Sequence, residues 1–176
     1  MSDENNIESI YRAQKATRPK IEDVAGDFLD AGRTAALLNL AAYIRDNKIN
    51  IQWASGNSWA LNVKNKRLGY LKICDGSPAQ IYRGSWYFCH NRAYLDNYYS
   101  MADSDFKTFI FENIYARNCG SCTVSSKRPD EKKAGYMTPT DCWCWPFRIF
   151  NPEGEALEYV KKLIEYRKNC ILEEMK

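Results

Sequence analysis

The sequence predicts an α+β fold: a single domain with an antiparallel sheet of four to six strands, packed by two or three helices. Two observations lead to this prediction. Apolar residues recur at helical spacing near 30–47, 104–117 and 152–172. Between the first two of these stretches, residues 51–90 contain short runs of β-branched and aromatic residues separated by turn residues, a pattern typical of a strand meander.

Length and composition indicate one globular domain. The chain has 176 residues, of which 45% are hydrophobic and 27% charged. We expect residues 21–176 to form the domain and the polar residues 1–20 to form a flexible N-terminal arm. The net charge of +3 does not favour a nucleic-acid partner. Because we find neither a secretory signal nor a run of about 20 apolar residues, we expect a cytoplasmic protein without a membrane partner.

The helices are predicted from their caps and apolar stripes. The first covers residues 30–47, where apolar side chains crowd one broad face. Asp103 or Ser104 can cap the second helix. The closing helix is predicted to begin with Asn151 as its cap and Pro152 at its first position. Its buried stripe should consist of Leu157, Val160, Leu163, Ile164 and Ile171.

The strands are predicted from alternation and turns. Residues 58–63 place alternate apolar side chains on one face. The polar residues 64–66 make a tight connection into a strand at 67–74. A further strand follows at 86–90, and the aromatic block at 143–150 predicts the last one.

Four cysteines form two closely spaced pairs. Two residues separate Cys119 from Cys122, and nineteen residues later one residue separates Cys142 from Cys144. Both spacings allow two thiolates to face one ion, and four thiolates suit tetrahedral zinc or a single iron. We therefore predict a structural zinc site in the loop 119–144. The alternatives are reduced cysteines without a metal and a redox pair formed by Cys119 and Cys122.

The remaining thiols and the single histidine do not form a second recognisable site. Cys89 and His90 are neighbours on a predicted strand, so their side chains point to opposite faces. One histidine also excludes a multi-histidine zinc enzyme. The sequence leaves open the roles of these two residues and of Cys74 and Cys170.

Aromatic residues suggest a candidate pocket. The chain contains five Trp and twelve Tyr, a surplus that suits either a broad core or a site for a planar ligand. Small polar residues lie between Trp53 and Trp59, so these two indoles, with Trp86 and Tyr87, are candidates to line a ligand-binding cleft. The alternative is a turn between strands whose indoles belong to the core. The expected partner is a small apolar or aromatic ligand, or a protein.

The order of these segments along the chain resembles that of a group of known proteins. A helix, the segment 53–59, the strand 84–87, the cysteine loop and the helix containing residues 159–164 resemble small uncharacterised bacterial α+β proteins with a Cys-rich metal loop. The resemblance covers roughly residues 30–170 and implies no reaction or ligand. We expect a cytosolic ligand-binding or interaction domain with structural zinc rather than an enzyme. The alternatives are a thiol-dependent redox enzyme or sensor that uses Cys119 and Cys122, and a zinc-supported nucleic-acid binder.

Overall fold

The computed structural model describes residues 2–74, 83–90, 103–113 and 147–176. These residues form five helices and a five-stranded sheet. The helices are α1 (Ser2–Thr17), α2 (Ala25–Phe28), α3 (Ala31–Asp46), α4 (Ser104–Asn113) and α5 (Gly154–Glu173), with a 3₁₀ turn at Ile21–Asp23. The strands are β1 (Asn50–Ser55), β2 (Ser58–Val63), β3 (Lys66–Ile73), β4 (Trp86–His90) and β5 (Phe147–Phe150). They follow chain order across one antiparallel sheet, so the predicted α+β single domain is confirmed.

The first three strands form two tight hairpins. Trp53 lies opposite Trp59 in the β1–β2 pair. Lys64 and Asn65 connect β2 to β3, and both have positive φ angles, 44° and 67°. This is the geometry of a type I′ turn, whose twist matches that of the flanking strands. The tight polar connection predicted at this point is therefore confirmed.

Helices α3 and α5 form the helical layer against the sheet. Helix α3 packs against β1, α5 packs against β2 and β3, and the two helices pack against each other. Asp30 caps α3, because its Oδ1 accepts a hydrogen bond of 2.8 Å from the N–H of Arg33. The predicted stripe of α5 is confirmed as buried at all five positions, Leu157, Val160, Leu163, Ile164 and Ile171.

Helix α5 begins at Gly154 rather than at Pro152, so the prediction that Asn151 caps it is wrong. Asn151 has a φ of 43° and contacts β4 instead. Its Oδ1 accepts a hydrogen bond from the N–H of Trp86 at 2.9 Å, and its own N–H donates to the carbonyl of Trp86 at 2.9 Å. The side chain that the local sequence predicted as a helix cap therefore makes a tertiary hydrogen bond instead.

The segment predicted as an arm contains helix α1, whose last turns contact the first hairpin. Gln14 is 6% exposed and hydrogen-bonds Asn57 twice. Its Nε2 donates to Oδ1 of Asn57 at 2.6 Å, and its Oε1 accepts from the N–H of Asn57 at 2.9 Å. The Tyr11 ring lies so close to Gly56 that a Cβ there would overlap it. Flexibility of residues 1–20 stays a prediction, and these contacts count against it.

Within the domain the chain divides into two compact units, residues 1–89 with 149–176, and residues 90–148. In the second unit Asp103 caps α4, because its Oδ1 accepts from the N–H of Phe106 at 2.8 Å. Asp103 is one of the two caps predicted. Phe106 also stacks on Phe109, with 6.4 Å between ring centroids. No helix in the described residues is long and apolar enough to cross a membrane.

Candidate functional site

Two tryptophans lie side by side on the first hairpin. Trp53 of β1 and Trp59 of β2 are register partners, so their side chains project from the same face of the sheet. Directly opposed residues have Cβ atoms about 4.5–5.5 Å apart, close enough for two indoles to touch. Trp59 is only 1% exposed, whereas Trp53 is half-buried. The hairpin therefore presents one buried indole beside one that is partly accessible.

The chain that follows α1 crosses this pair of indoles. Arg18 ends α1 with a φ of 50°, and its N–H donates to the carbonyl of Gln14 at 2.7 Å. Pro19 cannot continue the helix, and its carbonyl accepts a hydrogen bond from Nε1 of Trp59 at 2.9 Å. Ile21 is then fully buried. The left-handed backbone conformation of Arg18, followed by Pro19, thus ends α1 and directs residues 18–21 across the hairpin.

These elements enclose a cleft of about 170 Å³. Two indoles, three basic side chains and several apolar groups line it: Arg18, Pro19, Lys20, Ile21, Arg45, Ile51, Gln52, Trp53 and Trp59. In another protein an engineered apolar cavity of about 150 Å³ holds benzene. The cleft is therefore large enough for one six-membered ring.

The two indole N–H groups differ in their hydrogen bonding. Trp59 donates to Pro19. Nε1 of Trp53 is shielded from solvent and has no hydrogen-bond partner among the described residues. A buried donor without a partner costs about 1–3 kcal/mol. Trp53 thus lines the cleft, and its indole N–H is a donor without a partner among the described residues.

The rim of the cleft is positively charged. Arg18 and Lys20 are exposed, and neither is in an ion pair with another described residue. Arg45 is paired with Glu22, and its Nη2 donates to Oε2 at 2.9 Å. Burial alone would raise the pKa of Glu22, but hydrogen bonds from Arg45 and the backbone and the charges of Arg45 and Lys20 lower it below 4.5. Two of the rim cations, Arg45 and Lys20, therefore act on this carboxylate.

The other two predicted pocket residues do not line this cleft. Trp86 is 0% exposed, and its neighbour Tyr87 points to the opposite face of β4. Tyr87 packs on Phe150, with 5.0 Å between ring centroids, in a cluster with Cys74 and Cys89. The structure thus brings Trp53 and Trp59 together and places Trp86 and Tyr87 in packed positions elsewhere on the sheet.

Sequence reasoning missed the basic residues of the cleft and the segment 18–21. The pair Arg18-Pro19 signals the end of a local structure, and Arg45 lies on the exposed side of a predicted helix. Neither signal indicates that the chain crosses the hairpin. That path depends on the contact between Gln14 and Asn57, which are 43 positions apart.

The predicted metal ligands Cys119, Cys122, Cys142 and Cys144 lie outside the described residues, so the zinc site stays a prediction. In the part of the chain that the structure describes, no group of three or more His, Cys, Asp or Glu side chains can hold a metal ion.

The similarity of this chain to known proteins was tested in three comparisons. No protein-family model, no curated protein and no solved structure matches it. The resemblance to bacterial α+β proteins with a Cys-rich loop therefore stays a prediction. Fold and site together define an α+β domain with a cleft of two indoles and a cationic rim.

Proposed function

We propose that this protein is a ligand-binding domain, that its site is the cleft at Trp53 and Trp59, and that its ligand presents one planar ring. One observation carries the proposal: two register-paired tryptophans line a single cleft of about 170 Å³. Aromatic walls favour a planar group, because ring stacking contributes about 0.5–1.5 kcal/mol beyond the area that is buried. The proposal assigns a binding role and no reaction.

The walls of the cleft are held in place by contacts that need no ligand. Pro19 fixes the indole of Trp59, and Glu22 fixes the guanidinium of Arg45. The amide of Gln14 fixes the end of α1, from which residues 18–21 continue. Binding to such a site orders few side chains and so loses little affinity to entropy. This supports a small ligand over a protein partner, whose interface would bury about 800 Å² on each side.

A structural zinc held by Cys119, Cys122, Cys142 and Cys144 remains part of the proposal. Its support is the spacing of the two thiol pairs, which fits a tetrahedral site. The zinc would stabilise the loop 119–144. The redox alternative uses Cys119 and Cys122, and no contact within the described residues favours it over ligand binding.

Indole resonances of ¹⁵N-labelled protein test the proposal directly. The chain has five tryptophans and so gives five indole N–H signals, which single Trp→Phe variants assign. We expect single-ring compounds such as benzamide and benzoate to shift the signals of Trp53 and Trp59. The signal of Trp86, which is fully buried and does not line the cleft, should not move.

Two variants separate the cleft from other surfaces. Trp53→Phe removes the unused donor and part of the aromatic wall, and should weaken binding. Tyr70→Phe is the matched control, because Tyr70 is 37% exposed and lies outside the cleft. Binding that survives Trp53→Phe unchanged, or shifts confined to other indoles, would contradict the proposal.

A further inference from the structure

The charges at the rim of the cleft indicate what kind of ligand it takes. Arg18, Lys20 and Arg45 contribute three positive charges, and Glu22 neutralises one of them. Arg18 and Lys20, which are in no ion pair with another described residue, lie on the segment that crosses the indoles. A neutral ring would leave both charges unused, whereas an anion would be attracted to them.

Arg18 has a backbone conformation that is uncommon for arginine. Arg18 has a φ of 50°, in the left-handed region that glycine adopts without strain at a helix C-terminus. An arginine at that position strains the backbone and places a guanidinium at the rim of the cleft. Arg18 therefore takes the place that glycine often has at a helix C-terminus, and it adds a cation to the lining of the cleft.

From these observations we infer that the ligand is a small aromatic carboxylate: one six-membered ring that bears a carboxylate group. This inference rests on the proposed function, since it specifies the charge of the ligand for the same cleft. The ring lies against the indoles of Trp53 and Trp59. The guanidinium of Arg18 presents two parallel N–H donors to the carboxylate, and Lys20 adds a point charge. Arg45 keeps its bond to Glu22 and contributes only its charge.

Benzoate and benzamide form the test pair, because they share a ring and a planar substituent and differ in charge. Binding is followed through the indole signals of Trp53 and Trp59. We expect benzoate to bind about tenfold more tightly than benzamide, as charge-assisted hydrogen bonds are stronger than neutral ones. Its advantage should shrink as salt rises from about 0.01 M to about 1 M, since salt screens exposed charges.

Substitution of Arg18 tests whether the carboxylate of the ligand binds to this residue. Arg18→Gly suits the left-handed backbone, so it should fold, and Arg18→Gln removes the charge while it keeps a long side chain. Both should abolish the affinity advantage of benzoate over benzamide. Lys48→Gly is the matched control. Lys48 also has a positive φ, 59°, and its loss removes one charge, but it lies outside the cleft.

The possible outcomes separate this inference from the proposed function. Equal affinity for benzoate and benzamide, or an equal effect of Arg18→Gly and Lys48→Gly, would overturn the inference and leave a cleft for a neutral ring. No response of the Trp53 and Trp59 signals to either compound would overturn both. Shifts that depend only on protein concentration would mean that a second copy of the chain occupies the cleft, which also overturns both.

Discussion

Replacement of Gln14 by alanine tests whether α1 holds the wall of the cleft in place. The Gln14 amide makes two buried hydrogen bonds to Asn57, at 2.6 and 2.9 Å. Their loss leaves the N–H and Oδ1 of Asn57 without these partners, beside an Nδ2 that has none in the described residues. Each loss costs about 1–3 kcal/mol. Water that enters recovers part of this, so we expect the free energy of unfolding to fall by about 2–4 kcal/mol.

Urea denaturation, followed by tryptophan fluorescence and by circular dichroism, measures this change. The control is Lys15→Ala on the same helix. Lys15 is exposed, so its replacement should change the free energy of unfolding by no more than about 0.5 kcal/mol. Equal m-values for Gln14→Ala and wild type would show that the change in midpoint reports stability alone.

A loss below about 0.5 kcal/mol for Gln14→Ala would refute this reasoning, because surface substitutions produce changes of that size. Residues 1–20 would then behave as the flexible arm that the sequence predicts, and the wall at Arg18 and Pro19 would not be fixed. Gly56→Ala is an independent check. Its Cβ would overlap the ring of Tyr11, so it should displace α1 without touching Gln14.

Three further predictions concern the cleft and the metal. Arg18→Gly should raise the free energy of unfolding by up to about 1 kcal/mol in urea titrations, because relief of about 1–2 kcal/mol of backbone strain exceeds the entropic cost of glycine; a decrease contradicts it. The pKa of Glu22 is lowered in the folded state, so its pairing with Arg45 stabilises the protein above pH 4.5 and this contribution is lost as pH falls further. Glu22→Gln should flatten that part of the stability profile, and an unchanged profile counts against the pairing. Cys119→Ser should release zinc from protein purified without chelators, as measured by mass spectrometry of bound metal; full retention would argue against the predicted ligand set.

Much of the fold follows from local patterns in the sequence. The stripe of α5 was predictable because five apolar residues recur at helical spacing and bury together. The turn was predictable because the polar residues 64–66 between alternating strands favour a tight hairpin, although Lys66 already belongs to β3. In both places local preference and tertiary packing agree.

The sequence did not predict those features whose conformation depends on contacts with residues far away in the chain. Asn151 has the chemistry of a helix cap, yet its side chain bonds β4. The polar residues of α1 give a weak helical signal, and the docking of Gln14 depends on Asn57 in a distant turn. Trp53 and Trp59 were predicted as candidate pocket residues, but their register pairing and the basic rim were not, because no local pattern places Arg18 near an indole.

A crystal structure of the protein with bound benzoate tests the central claim most directly. We expect the ring to lie in the cleft against Trp53 and Trp59, with its carboxylate within hydrogen-bond distance of Arg18 or Lys20. Benzoate bound at a different surface, with the cleft filled by the protein's own side chains, would contradict the account.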